Sequence, residues 1–307
     1  MLHDHERTQS KLREDLGPLV YQALRDKDVI EIMLNEDGVL WVDTYSGMRK
    51  YGSLAAEAAK NLINTISSVA GVSTTRESPN LGGEIWVMVD SDIRLFRFQG
   101  LIPPIVSSPV FSIRKPAMRV IPLAEYFDQG VINKEQLDCL QKAIREKTSI
   151  LVIGGTQSGK TTLCNALLDE MALAYPNDRL AIIEDTIELQ CNVANKIQLR
   201  TSDNRTMDDL LKYCMRLRPD RIIVGEVRGK EAYSLIKAWN TGHPGGLSTI
   251  HANSAQSGLL RLEQLISEAG IPVDRRGIIE AVNMLVFIEK ASGSKAGRKV
   301  KEILQVS

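Results

Sequence analysis

The sequence carries no surplus of either charge. Lys and Arg number 38 and Asp and Glu number 38, which excludes a strongly basic nucleic-acid binder and leaves only a local basic patch open. Aromatic residues are scarce at 5%, so a base-stacking platform has little to be built from. Cysteine is scarce too. Cys139, Cys164, Cys191 and Cys214 form no CxxC pair, which excludes a zinc knuckle and a dithiol redox motif; they read as reduced, buried thiols of a cytosolic protein. Long hydrophobic runs are missing: Ile150–Ile153 and Met284–Ile288 fall far short of the roughly 20 residues that span a bilayer. The polar start Met1–Arg7 lacks a signal-peptide hydrophobic region, so a cytoplasmic location is expected. Core-forming material is present. A hydrophobic content of 43% over 307 residues excludes extensive disorder, and about 150 residues per domain suggests two domains.

Hydrophobic periodicity divides the chain. Leu12, Leu16, Leu19, Val20 and Leu24 recur at helical spacing within residues 6–24, with Gly17-Pro18 expected to break the run. Val29–Asn35 and Val39–Asp43 read as strands joined at Glu36-Asp37-Gly38, a hairpin signal. Leu54–Ala70 reads as an amphipathic helix, Ser73–Gly83 as a loop, and Glu84–Asp90, Ile93–Gln99 and Val110–Arg114 as strands. Residues 1–115 are therefore expected to form an N-terminal α+β domain, a small mixed sheet with a helix packed on it. A linker is expected over 116–122, bracketed by Pro116 and Pro122. From 123 to 307 the rhythm changes. Strands at Ser149–Ile153, Leu180–Ile183 and Arg221–Val224 alternate with helices over 134–147, 160–173, 206–216 and 230–239, the pattern of a parallel α/β sheet. Met284–Lys290 and Lys299–Val306, around Ser292–Gly297, predict an antiparallel hairpin at its edge.

The strongest chemical signal is Gly154-Gly155-Thr156-Gln157-Ser158-Gly159-Lys160-Thr161, a G-x-x-x-x-G-K-[ST] run, with Thr162 continuing into the following helix. A buried strand precedes it and a helix starts near Lys160. Glycines let successive amides turn inward as an anion nest, and the helix N-terminus adds partial positive charge. This predicts a nucleoside triphosphate site, with Lys160 on the β- and γ-phosphates and the Thr161 hydroxyl on Mg²⁺.

Three further segments narrow the reading. Ile182–Glu188 ends a strand in acids, where ligands sit in such sheets, and Glu184 or Glu188 is a candidate to orient or deprotonate water. Helix caps or solvated acids at a strand end are the competing reading of these residues taken alone. Arg221–Arg228 is an apolar strand ending in Glu226; a usual Walker B strand carries Asp where Gly225 stands, so Glu226 is the candidate for Mg²⁺ and for polarising the nucleophile. A plain Glu226–Arg228 pair is the competing reading. Thr241–Asn253 holds two of the four histidines among glycines, and His251 is expected to project from a short strand, Leu247–Ile250, toward the phosphates.

With these segments in this order, the chain resembles the secretion and traffic ATPases of bacterial type IV and type II secretion and type IV pili. The segments look like that family's Walker A, Asp box, Walker B and His box, and Gly225-Glu226-Val227-Arg228-Gly229 matches a family trait. The nearest branch is the conjugal-transfer, TrbB-like one; the absence of a CxxC pair separates the chain from relatives with a zinc-binding tetracysteine insert. The resemblance implies a PAS-like N-terminal domain, a RecA-like ATPase domain, ATP and Mg²⁺ as cofactors, and a homo-hexamer that binds nucleotide at subunit junctions. It implies partners among secretion-channel proteins and a peripheral place on the cytoplasmic face of the inner membrane. It also implies arginines near the linker that approach the γ-phosphate, and the matching positions are Arg94 and Arg114. Arg97, Arg200 and Arg205 lie in similar segments and are not ranked. No sequence-specific nucleic-acid binding and no small-molecule substrate beyond ATP are expected. The competing readings are a RecA-like DNA-translocating motor and a nucleotide-dependent scaffold with little turnover.

Overall fold

The structure is a computed structural model that describes residues 2–44, 47–116, 120–202, 204–291, 294 and 296–306, with side chains from Arg7 onward. Residues 117–119 of the expected linker, and 292, 293 and 295 of the expected hairpin loop, lie outside the described residues. The chain forms two compact units, Met1–Met118 and Arg119–Ser307.

The first unit contains α1 (Leu2–Arg25), β1 (Val29–Leu34), β2 (Val39–Thr44), β3 (Gly47–Ser53), α2 (Ala56–Val69), β4 (Asn80–Val89), β5 (Asp92–Leu101) and β6 (Val110–Arg114). α1 kinks at Gly17, whose φ of 64° only glycine adopts cheaply ahead of Pro18. The six strands lie in the order β3-β2-β1-β6-β5-β4. Every pairing is antiparallel, not mixed as the sequence suggests: β1-β2-β3 and β4-β5-β6 are two antiparallel meanders, and the helix-bearing connection from β3 to β4 leads to the far edge of the sheet, where β6 then joins β1 antiparallel. Two helices, not one, cover the sheet: Leu12, Leu16 and Val20 of α1 and Leu62, Ile63 and Ile66 of α2 share a core with Ile85, Phe96, Phe98 and Ile113. Residues 80–83 are strand, not loop. Gly82 and Gly83 read as turn residues, yet they pair with Gln99 and Phe98, and the missing side chain of Gly82 leaves room for that of Gln99.

β4 is an edge strand with free ladder groups, and α1 occupies part of it. Gln9 donates from Nε2 to the Trp86 carbonyl at 2.8 Å and accepts at Oε1 from the Met88 amide at 2.9 Å. One amide side chain thus replaces a missing strand residue. Gln9→Ala is expected to cost about 1–2 kcal/mol, two neutral hydrogen bonds at about 1 kcal/mol each less what water restores; the urea midpoint measures it.

The second unit contains α3 (Leu123–Asp128), α4 (Lys134–Arg145), β7 (Ile150–Ile153), α5 (Lys160–Ala174), β8 (Leu180–Glu184), β9 (Lys196–Arg200), α6 (Met207–Cys214), β10 (Arg221–Val224), α7 (Glu231–Asn240), β11 (Leu247–Ile250), α8 (Ala255–Glu268), α9 (Arg275–Ala281), β12 (Met284–Lys290) and β13 (Arg298–Gln305). Its seven-stranded sheet runs β13-β12-β7-β11-β10-β8-β9. The strands from β12 to β9 are mutually parallel, and β13 closes the edge antiparallel to β12. β7 is buried on both faces. Ile150 and Val152 join the core under α3, α4 and α5, whereas Leu151 and Ile153 join the one under α6 to α9. Each such side chain contributes roughly 1.5–3 kcal/mol by leaving water, and this three-layer stack fixes the strand ends that carry the site. The four cysteines are free thiols. Among the described residues no helix is long and apolar enough to cross a membrane.

Candidate functional site

The run 154–161 forms the turn between β7 and α5. Gly154 has no room for a side chain: a Cβ there would stand 2.4 Å from the Ile288 carbonyl and 2.4 Å from Ser158 Oγ. Gln157 and Gly159 take positive φ, 58° and 100°, which folds the loop over the N-terminus of α5. Gly159 is the N-cap and offers no capping side chain, so backbone amides and the helix dipole form the positive end of the turn. Lys160 is only 8% exposed. Its Nζ donates to the carbonyls of Gly154 at 3.0 Å and Gly155 at 2.9 Å, and stands 3.3 Å from each ring nitrogen of His251. A buried ammonium beside a concave turn is suited to a polyphosphate.

The strand order β7-β11-β10-β8 brings four more groups to this end of the sheet. Thr161 Oγ1 donates to Glu188 Oε2 at 3.3 Å. Glu226, two residues beyond β10, accepts at Oε2 from Arg228 Nη2 at 2.7 Å, and its Oε1 is 3.0 Å from His251 Nε2. Glu226, Val227, Arg228, Ile250, His251 and Arg261 line a cleft of about 240 Å³. Burial pushes the Glu226 carboxyl up, but Arg228 above all, then His251 and Lys160, outweigh it and hold the group below the usual carboxylate range. His251 is pushed down by burial and by the Lys160 charge, against the pull of Glu226. It is therefore a neutral imidazole at neutral pH.

That depression has a signed consequence. As pH falls through 6.5, unfolded chains take up the His251 proton before folded ones, so stability is lost from about pH 6.5 downward. His251→Asn is expected to lose less unfolding free energy than wild type between pH 7 and pH 5, as read by urea titration at each pH.

Glu184 is placed differently from Glu188. It is 4% exposed, and its Oε1 accepts from the amides of Glu188 at 3.0 Å and Leu189 at 2.9 Å. Its carboxylate holds the turn that presents Glu188. It also explains Gly225: a Cβ at that position would meet Glu184 Cγ at 3.0 Å. The space of the usual Walker B aspartate is filled from the neighbouring strand. His243, the other histidine of its segment, bonds the Ala238 carbonyl at 3.2 Å instead.

Arg94 and Arg114 belong to the first unit, and they fall on opposite faces of its sheet. Arg94 shares the alternation of buried Phe96 and Phe98 and pairs with Asp92 at 3.1 Å. Arg114 alternates away from buried Ile113, and its cross-strand neighbour on the outer face is Arg97. Glu31 is opposite Arg114 on β1 and Glu84 is opposite Arg97 on β4, so an acid flanks each arginine. Two cations without any local signal in the sequence, Lys290 and Arg298, stand beside the turn 154–161; Lys290 is 133 positions from Gln157, the residue it touches.

Among the described residues no cluster of three or more His, Cys, Asp or Glu forms a metal site by itself. The Thr161 hydroxyl and the nearby carboxylates are an oxygen donor set that suits Mg²⁺, which is held through one or two such groups together with phosphates and water.

Comparisons with known proteins give the family and the fold. The family described as "Type II/IV secretion system protein" matches residues 25–292. The probable conjugal transfer protein TrbB of Sinorhizobium fredii is 45% identical over 306 residues, covering 99% of this chain and 91% of that one. Among solved structures, the Legionella pneumophila ATPase DotB superimposes with a TM-score of 0.70 at 16% identity, covering 94% of this chain and 79% of that one. The VirB11 ATPase from the Brucella suis type IV secretion system, in complex with sulphate, gives 0.52 at 24% identity, covering 99% and 96%. The structural likenesses establish the fold, an N-terminal sheet domain followed by a RecA-like domain.

Proposed function

The chain belongs to the type II/IV secretion system protein family, and from that membership we propose that it hydrolyses ATP to power a type IV secretion system serving conjugative DNA transfer and pilus function. The observation that carries the reading is the convergence of Lys160, Thr161, Glu188, Glu226 and His251 on one end of four parallel strands.

The proposed roles follow from what each group touches. Residues Gly154 to Lys160, with Thr161 and Thr162, wrap the phosphates; Lys160 neutralises the β- and γ-phosphates. Mg²⁺ would be held by Thr161 and Glu226, and when bound it neutralises charge on the phosphate oxygens. Glu226 suits that neighbourhood because the surrounding cations keep it ionised, which also makes it a weak base. The proton of the attacking water goes to Glu188, the carboxylate beside the Thr161 hydroxyl. Glu184 is a positioning residue that holds the Glu188 turn. Neutral His251 keeps Glu226 and Lys160 apart and in register.

Arg114, with Arg97 beside it, is proposed as the γ-phosphate sensor contributed by the N-terminal, PAS-like domain (1–115), joined through 116–122 to the ATPase domain (123–307). A guanidinium on a separate domain gains charge-assisted bonds only when triphosphate is present. Arg114→Ala is expected to slow turnover about 10- to 100-fold with ATP affinity changed less than about threefold. Arg97→Ala should follow Arg114→Ala, and Arg94→Ala should not. Steady-state phosphate release and nucleotide titration measure both quantities.

The proposed assembly is a homo-hexameric ring, peripheral on the cytoplasmic face of the inner membrane and engaged with secretion-channel proteins. Sedimentation with and without ATP and Mg²⁺, coupled to a turnover assay, tests the proposal. Six-fold assembly with turnover supports the motor, assembly without turnover supports a scaffold, and turnover that requires single-stranded DNA supports a DNA translocase.

A further inference from the structure

The hairpin of β12 and β13 brings two cations to the flank of the phosphate loop opposite the acids. Lys290 and Arg298 are register partners at the loop end of that hairpin. Lys290 Nζ donates to Gln157 Oε1 at 3.1 Å. The Arg298 side chain lies over Gly159, so that a Cβ built there would come within 2.7 Å of Nη1 and 3.1 Å of Cδ. β12 is packed against the loop backbone to backbone, since the Ile288 carbonyl fills the space of a Gly154 side chain. The two cations are therefore held at Gln157 and Gly159 by the sheet itself.

This placement is electrostatically unfavourable without an anion. The N-terminus of α5 already carries the positive end of its dipole and the Lys160 ammonium, and a purely structural neighbour there would be an acid or a neutral cap. The strand order fixes which part of an anion these cations face. Glu188, Glu226 and His251 extend from β8, β10 and β11, on one side of β7, while β12 lies on the other. In a loop of this kind the amides cradle the α- and β-phosphates while the lysine reaches the β- and γ-phosphates, so a γ end among Lys160, Thr161 and Glu188 leaves the α end on the side away from those acids, the side on which β12 lies.

We propose that Arg298, assisted by Lys290, binds the α-phosphate–ribose end of the nucleoside triphosphate. The C-terminal hairpin is then a second, cationic wall of the nucleotide site, and Gly159 is glycine partly so that the guanidinium can lie across it. The inference rests on the ATP reading above and deepens it.

The test is calorimetric titration of the full chain with ATP, ADP and inorganic pyrophosphate, each with Mg²⁺. Pyrophosphate fills the positions gripped by Lys160 and has no α-phosphate or ribose. Arg298→Ala is expected to weaken ATP and ADP about tenfold each, the loss of one charge-assisted bond, and to leave pyrophosphate unchanged. Lys290→Ala should weaken both nucleotides about threefold, and Arg298→Lys should recover part of the loss. Equal weakening of all three ligands in a variant with an unchanged thermal midpoint would overturn the proposal, because Arg298 would then only brace the loop. No weakening of any ligand overturns it too. Wild-type chain that binds none of the three overturns the ATP reading itself, an outcome visible before any variant is made. If Arg298→Ala does not fold, Arg298→Gln and Lys290→Ala carry the same readout.

Discussion

Lys160→Ala is expected to reduce ATP turnover at least about 1,000-fold, to background in a phosphate-release assay. The ammonium is buried at the mouth of the turn and is held by two carbonyls of the loop it serves. Alanine removes the charge that meets the β- and γ-phosphates, and Lys290 and Arg298 stand at Gln157 and Gly159 on the β12 flank of the loop rather than beside His251. The same variant has a second readout independent of turnover. Because the Lys160 charge helps hold the His251 pKa down, its removal should raise that pKa, and proton NMR of the imidazole measures the change. Turnover equal to wild type would remove the phosphate role from Lys160.

The second large effect belongs to the acids, and it separates three residues that look alike in sequence. Glu188→Gln is expected to lower turnover about 10²- to 10⁴-fold, the usual contribution of a general base, while ATP still binds and is retained. Glu226→Gln should raise the Mg²⁺ concentration needed for half-maximal activity, since it removes a carboxylate held ionised by Arg228. Glu184→Gln removes the acceptor for the Glu188 and Leu189 amides, so it should lower the melting temperature as well as activity. Full activity in Glu188→Gln, with loss confined to Glu226→Gln, would exchange the two roles.

Much of the architecture was legible because the buried strands announce themselves. Ile150–Ile153 and Arg221–Val224 are short apolar runs bounded by polar turns, and they are strands at those positions. Elements with weaker patterns were not. β3 is almost wholly exposed and shows no alternation, and β9 is an edge strand with only Ile197 and Leu199 turned inward. α3 and α9 are too short, at 6 and 7 residues, to show helical periodicity. α8 is the exception among these, since Leu262, Leu265 and Ile266 behind a Ser254 cap are a legible helix signal. Gly82-Gly83 looked like a turn because glycine's local preference says so, and cross-strand packing overrode it.

For the site, the sequence could name strand ends but not neighbours. That His251 stands 3.3 Å from Lys160 depends on β11 lying next to β7, a fact of sheet order rather than of local pattern. The tether from Glu184 to the Glu188 turn, and its filling of the space at Gly225, are packing facts. So is the division of Arg94 and Arg114 between two faces, which follows from counting alternation along strands whose register was unknown. Lys290 and Arg298 had no local signal at all, because the hairpin that carries them is distant in the chain from the loop they flank.

The central claim is that residues 154–161 grip the phosphates of ATP. Calorimetric titration of Mg²⁺–ATP into the full-length chain, in parallel with Lys160→Ala, tests it most directly. One saturable site per chain in the wild type and none in the variant is the predicted result. No saturable heat in the wild type, or the same isotherm in both, would contradict it.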